Sequence, residues 1–229
     1  MKRFLFAALI AALAGPVLSA GTITGTVRGA PPKGAATAEG EGGGAYESRR
    51  YKYVEKIDYD HLRDFVVYID QDVPGANVAG PAEATVTTTQ RDANFEPHVM
   101  PVAVGTTVRW PNEDDIFHNV FSMSDAKQFD LGYYKKERTP DIVFDKVGQV
   151  DVFCAIHSKM HCIILVVPNR YFAKADAQGR FTIPDVPPGT YKVKAWHERL
   201  PAKVQTVVVP ASGEVKANFV LSLGDLPKY

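Results

Sequence analysis

The sequence predicts an all-β protein, and three observations lead to this fold class. The 229 residues include 18 Gly and 16 Pro, which are spread along the chain as turn signals. Between the turns lie short runs rich in Val, Ile, Thr and aromatic residues, which favour β-strands. No long segment repeats its apolar residues at the helical period of 3.6. We therefore expect two β-sandwiches, each built from short strands.

The individual strands follow from these runs. Residues 22–29 alternate as a half-buried strand does, and residues 64–70 form a compact apolar run that suits a buried strand. From residue 171 onward, short runs between Gly and Pro turns predict the second sandwich. Between these two regions, further strands are expected at residues 84–90, 99–105, 106–112, 118–124, 141–148, 149–154 and 162–168.

The first 20 residues have the layout of a signal peptide. Lys2 and Arg3 precede an apolar run that is too short to span a bilayer, and small residues follow up to Ala20. Cleavage there predicts a periplasmic or secreted protein with no membrane span; a membrane anchor is the weaker alternative. Two cysteines in an exported protein could form a disulfide, which is the first alternative to any metal site.

The charge balance excludes some partners. The chain has 26 basic and 26 acidic residues, and removal of Lys2 and Arg3 leaves a net charge of about −2. Neither nucleic acid nor an anionic membrane is expected to bind such a chain. No Gly-rich phosphate loop and no arrangement of Ser, His and Asp for nucleophilic catalysis occurs in the sequence, so an enzyme is not expected.

One short loop carries residues that suit a metal. Cys154, His157 and Met160 are each separated by two residues, and His118 follows a polar turn well upstream. A thiolate, two imidazoles and a weak axial thioether form the ligand set of a blue copper site, which accommodates both Cu(I) and Cu(II). The alternatives are a disulfide between Cys154 and Cys162 and ordinary structural histidines.

The segments FEPHVMPVAVGTTVRWPNEDDIFHNVFS and DKVGQVDVFCAIHSKMHCIILVVP resemble the cupredoxin family, nearest to its plastocyanin and amicyanin branch. The resemblance covers residues 84–168, and the wider chain is similar to proteins described as methylamine-utilisation-like. It implies that one copper ion is bound by His118, Cys154, His157 and Met160. It also implies that the Asn119 amide ties the His118 loop to the Cys154 loop.

This resemblance implies a function as well. A cupredoxin carries single electrons between redox protein partners, through a histidine such as His157 that is exposed within an apolar patch. A copper carrier or sensor, with the second sandwich as a docking module, is the alternative. The sequence departs from the family at His161 and Cys162, which follow the expected axial Met160 directly. We expect Cys162 to be a buried free thiol; either residue as a copper ligand is the alternative.

The C-terminal segment ADAQGRFTIPDVPPGTYKVKA is similar to the transthyretin-like or carboxypeptidase-regulatory-like sandwich, whose usual opening motif occurs far upstream at Gly21 to Val27. This separation predicts one sandwich from residues 21–74 and 169–224, with residues 35–61 as an irregular insertion. The cupredoxin domain, residues 82–168, is then inserted into this sandwich. Two independent domains in series are the alternative.

Other residues have simpler interpretations. His98 and His197 are isolated in sequence and are expected to be hydrogen-bonded structural residues. Trp196 is expected to pack in a core or between domains. The acidic residues before His118 are expected to form a solvated turn, with a docking patch for a basic partner as the alternative. These acids are Glu113, Asp114 and Asp115.

Overall fold

The computed structural model describes residues 20–32, 57–73 and 85–225. The predicted signal peptide, apart from Ala20, and residues 35–56 of the predicted insertion lie outside them. The described residues fold into strands and one short 3-10 helix, Leu223–Asp225, so the all-β prediction is confirmed. None of their helices has the length and apolar character needed to span a membrane. The strands are β1 Gly21–Gly29, β2 Val66–Ile69, β3 Thr85–Thr87, β4 Thr89–Arg91, β5 Asn94–Glu96, β6 Val99–Ala103, β7 Thr106–Arg109, β8 His118–Ser124, β9 Lys127–Tyr134, β10 Asp141–Phe144, β11 Gly148–Phe153, β12 His161–Val167, β13 Phe172–Lys174, β14 Arg180–Val186, β15 Gly189–His197, β16 Leu200–Val209, β17 Glu214–Lys216 and β18 Phe219–Leu221.

The two ends of the chain share two sheets. Strand β1 lies between β14 on one side and the successive strands β17 and β18 on the other, while β2 lies between β13 and β15, which also pairs with β16. Ile23 is opposite Ile183, and both are buried in the core between the sheets. Gly25 has no room for a side chain, because a Cβ atom there would lie 1.8 Å from the Ala217 carbonyl oxygen. Strands β1 and β2 therefore pair within the same sheets as the C-terminal strands.

The middle of the chain forms a separate set of sheets. One sheet has the order β6-β12-β11-β8-β9, another has the order β10-β7-β3, and β4 pairs with β5 as a hairpin. Their core includes Trp110, Phe144 and Ile164. A third cluster of buried residues, among them Trp196, Tyr68 and Leu165, joins β2 and β15 to β12. Trp196 thus packs between the two sets of sheets.

The sequence analysis did not predict strand β9. This strand pairs with β8 at the edge of the five-stranded sheet, and Tyr134 alone of its eight residues is buried. Gly132, at a φ of 67°, interrupts its pattern, and the pairing with β8 shifts register there, because β9 has one extra residue opposite the step from Asn119 to Phe121. The edge position leaves only part of the strand buried, so the strand carries a weak apolar pattern.

Candidate metal centre

Three predicted ligands come together where neighbouring strands begin and end. His118 opens β8, Cys154 follows β11 directly, and these two strands pair through Phe121 and Phe153. His157 lies in the loop from β11 to β12. The antiparallel pairing therefore places the start of one strand beside the end of the next, which brings the distant His118 to the loop.

The ligand atoms of these residues converge. The Nδ1 atoms of His118 and His157 lie 3.0 Å apart, and Cys154 Sγ lies 4.0 Å from the first and 3.7 Å from the second. An ion bound trigonally at about 2.0 Å from nitrogen and about 2.3 Å from sulfur separates its donor atoms by roughly 3.5–3.7 Å. The spacing of the three side chains therefore fits one metal ion.

The loop that carries the candidate ligands Cys154 and His157 is closed by its own backbone. The Cys154 N–H donates to the Met160 carbonyl oxygen at 3.2 Å, and the Met160 N–H donates to the His157 carbonyl oxygen at 2.9 Å. Met160 is almost fully buried, in the same core cluster as Cys154. The backbone hydrogen bonds thus hold the segment from Cys154 to Met160 as one compact turn.

Asp114 orients His118, and the sequence analysis missed this role. Its Oδ2 atom accepts a hydrogen bond from His118 Nε2 at 2.7 Å, which directs the lone pair of Nδ1 toward His157. The carboxylate also accepts hydrogen bonds from the backbone N–H groups of Asp92 and Ala93. A carboxylate behind a ligand histidine fixes both its ring orientation and its tautomer.

The predicted solvated turn is therefore wrong for Asp114, whose side chain is only 14% exposed. Burial raises the pKa of its carboxyl, but the hydrogen bonds from Ala93 and His118 outweigh burial, so the pKa lies below its ordinary value of 3.8. Glu113 and Asp115 do lie at the surface, where they pair with Arg91 and Lys136. These pairs neutralise the acidic patch that was considered as a docking surface.

The predicted role of Asn119 needs correction. Its Nδ2 group donates a hydrogen bond to Asp130 Oδ1 at 2.6 Å, on the neighbouring strand β9, instead of to the Cys154 loop. The reason is that β9, which was not predicted, places the side-chain oxygen of Asp130 beside Asn119. Asn119 is buried next to His118, and its Oδ1 atom has no hydrogen-bond partner among the described residues.

The residues that depart from the cupredoxin pattern lie on opposite faces of β12. Cys162 is a free thiol that is opposite Val152 and faces the core, and burial raises its pKa well above the ordinary value, which disfavours a thiolate. His161 is on the other face, where its ring stacks on Phe153 and its Nε2 atom lies 3.1 Å from Asp151. Neither residue belongs to the cluster of three converging ligands. Cys154 is also a free thiol.

Apolar side chains flank the half-buried His157. Ile156 precedes it, and Ile116 and Phe117 lie in the loop just before His118; all three are exposed. His157 is thus the most exposed of the three residues, whereas His118 and Cys154 are buried.

The two isolated histidines differ in their surroundings. His197 is buried against Phe65, and its Nδ1 atom accepts a hydrogen bond from the Arg199 N–H, as expected of a structural residue. His98 instead lies beside His161 and Glu198, which are far from it in the sequence.

Comparison with known proteins gives partial matches. The model of polysaccharide lyase family 4, domain II, matches residues 169–217. That family differs from the regulatory-like one expected for this region, so the identity of the second sandwich stays a prediction. Comparison with curated proteins gives no match.

Among solved structures, an oxidised amicyanin mutant is 25% identical, with 38% of this chain and 87% of that chain covered and a TM-score of 0.34. A copper-containing nitrite reductase (NirK) from Thermus scotoductus SA-01 is 28% identical, with 38% of this chain and 23% of that chain covered and a TM-score of 0.36. A purple cupredoxin from Nitrosopumilus maritimus is 22% identical, with 37% of this chain and 99% of that chain covered and a TM-score of 0.32. Because these TM-scores are below 0.5, the function is inferred from the site itself.

Proposed function

We propose that the chain is an exported type 1 copper protein that carries single electrons between redox partners and catalyses no reaction of its own. The observation that supports this most directly is the convergence of Cys154 Sγ with the Nδ1 atoms of His118 and His157. One thiol and two imidazoles, with the buried thioether of Met160 in the same loop, are the donors of a blue copper site.

The protein would supply the fixed geometry that such a site needs. The Asp114 carboxylate holds His118, and two backbone hydrogen bonds close the loop from Cys154 to Met160. Bound copper would supply a one-electron couple between Cu(I) and Cu(II). Because the donors are held by buried and hydrogen-bonded elements, the same coordination can serve both oxidation states with little rearrangement.

Exposed apolar residues that lie next to the candidate ligands in the sequence support electron carriage over catalysis. A redox partner could cover Ile116, Phe117 and Ile156 and so approach the imidazole edge while water is displaced from the contact. We assign the electron port to His157 and leave the donor and the acceptor defined only as proteins with a complementary apolar surface.

The domain organisation is part of the proposal. We propose that residues 21–74 and 169–224 form one sandwich, with the copper domain, residues 82–168, inserted. The pairing of β1 with β14 and of β2 with β15 supports this arrangement, since strands from both ends of the chain share each sheet. We also propose that the mature protein is periplasmic or secreted, since residues 1–20 have the layout of a signal peptide.

The visible spectrum of the copper-loaded protein tests the metal assignment. We expect one copper ion per chain and an intense charge-transfer absorption from the Cys154 thiolate. Cys154→Ala should abolish that absorption, whereas Cys162→Ala should retain it, because Cys162 lies outside the ligand cluster. A colourless copper-loaded protein, or equal spectra for the two variants, would refute the proposal.

A further inference from the structure

A second group of metal-binding side chains lies at one end of the five-stranded sheet. His98 directly precedes β6 and His161 opens β12, and these strands run parallel, so the two rings meet with centroids 5.5 Å apart. Glu198 reaches the same point from the turn between β15 and β16. One ligand atom from each residue lies within 4.8 Å of the others.

Each histidine of this group is held as metal ligands usually are. His98 Nε2 lies 3.1 Å from both oxygens of Glu198, to which it donates a hydrogen bond in the metal-free protein, and His98 Nδ1 lies 3.3 Å from the His161 carbonyl oxygen. A metal ion that replaces the Nε2 proton would bind between His98 Nε2 and Glu198, and donation from Nδ1 to the carbonyl oxygen would then fix the ring. His161 Nε2 lies 3.1 Å from Asp151 Oδ1, which leaves its Nδ1 lone pair available. A carboxylate or a carbonyl that accepts from the second ring nitrogen is the common support of a ligand histidine.

We propose that His98, His161 and Glu198 form a second metal site, which binds divalent first-row transition ions such as Zn²⁺. Two imidazoles and one carboxylate suit these ions better than Mg²⁺ or Ca²⁺, which favour oxygen ligands. The set provides three protein ligands, so a fourth position stays open to water or to a further ligand.

The site would have a structural consequence. His98 and His161 belong to the sheet of the central strands, whereas Glu198 belongs to the strands formed by the chain ends. A bound ion would therefore fasten these two sets of strands together, at a point where His98 and Glu198 already form an ion pair. The site goes beyond the proposed electron carrier and does not depend on it.

A Zn²⁺ titration of protein loaded with one equivalent of copper, monitored by calorimetry, tests the site while the first metal centre is filled. We expect one Zn²⁺ per chain. His98→Gln and Glu198→Gln should each weaken Zn²⁺ binding by at least about 10-fold, since each removes one of three ligands. The control His61→Gln removes an imidazole that is 76% exposed and pairs with Asp58, outside the cluster, and should leave Zn²⁺ affinity unchanged.

A second titration separates this proposal from the first one. In metal-free protein that carries Cys154→Ala, the thiol of the other cluster is gone, so no copper loading is needed. Zn²⁺ binding to this protein should fall by at least about 10-fold when His98→Gln is added. The second site is overturned if wild-type protein binds no Zn²⁺, or if His98→Gln and Glu198→Gln bind it as tightly as His61→Gln does. Thermal unfolding of each metal-free variant verifies that the fold is retained.

Discussion

Asp114→Asn tests whether the carboxylate behind His118 shapes the metal centre. The carboxylate accepts three hydrogen bonds, from the N–H groups of Asp92 and Ala93 and from His118 Nε2, at 2.7–3.0 Å. An Asn side chain offers one acceptor oxygen and one donor group, so at least one of these donors loses its partner. Hydrogen bonds to a charged group contribute about 1.5–3 kcal/mol each. We expect the metal-free variant to lose about 1.5–3 kcal/mol of unfolding free energy, because the side chain is largely buried.

The same substitution should weaken copper binding. Without a carboxylate to hold its Nε2 atom, the His118 ring loses its fixed orientation, and removal of such supports typically costs 10- to 100-fold in metal affinity. Urea unfolding measures the stability of the metal-free protein, and competition with a chelator measures copper affinity. Asp115→Asn is the matched control, because the Asp115 carboxylate follows Asp114 in the sequence but is 92% exposed. If the two variants agree in both measurements, Asp114 does not orient the site.

The stability difference should also depend on pH in a defined direction. The pKa of Asp114 is lowered in the folded protein, so its ionised carboxylate stabilises the fold above the ordinary value of 3.8. That stabilisation is lost as the pH falls from 3.8 through the folded pKa. The difference between wild type and Asp114→Asn should therefore be full at neutral pH and shrink in acid. A difference that grows as the pH falls would contradict this assignment.

Three further predictions concern other parts of the account. Cys162→Ala should cost about 1 kcal/mol of stability in urea unfolding and keep the thiolate absorption, and loss of the colour would show that Cys162 is a ligand. Met160→Gln should keep the colour but lower the reduction potential, because an oxygen donor favours Cu(II); an unchanged potential in voltammetry would exclude Met160 as the axial ligand. Residues 169–229 expressed alone lack β1 and β2 and should not fold; a cooperative unfolding transition of this fragment would refute the inserted arrangement.

The sequence predicted those parts of the candidate site that depend on local spacing. Cys154 and His157 lie in one short loop, and His118 stands out because it follows a polar turn at the start of a strand. The structure brings these three side chains together, although copper binding itself stays a proposal. The role of Asp114 was not identified, since two of its three hydrogen-bond donors are the N–H groups of Asp92 and Ala93, which depend on how the turn folds against the β4–β5 hairpin.

The parts that sequence reasoning missed depend on contacts between distant segments. Strand β9 carries a weak apolar pattern at a sheet edge, and its absence from the prediction led to the wrong hydrogen-bond partner for Asn119. His98 and Glu198 are separated by 100 residues, and only the parallel pairing of β6 with β12 and the packing of the β15–β16 turn bring them to His161. No spacing rule within the chain could have revealed that cluster.

Protein-film voltammetry combined with a copper-exchange assay tests most directly whether the chain carries electrons. We predict a reversible one-electron couple in the copper-loaded protein, with copper retained when a chelator is present during repeated oxidation and reduction. The buried positions of His118, Cys154 and Met160 favour this retention. Copper that exchanges readily into the chelator, without a reversible couple, would contradict the account and show that the metal is cargo.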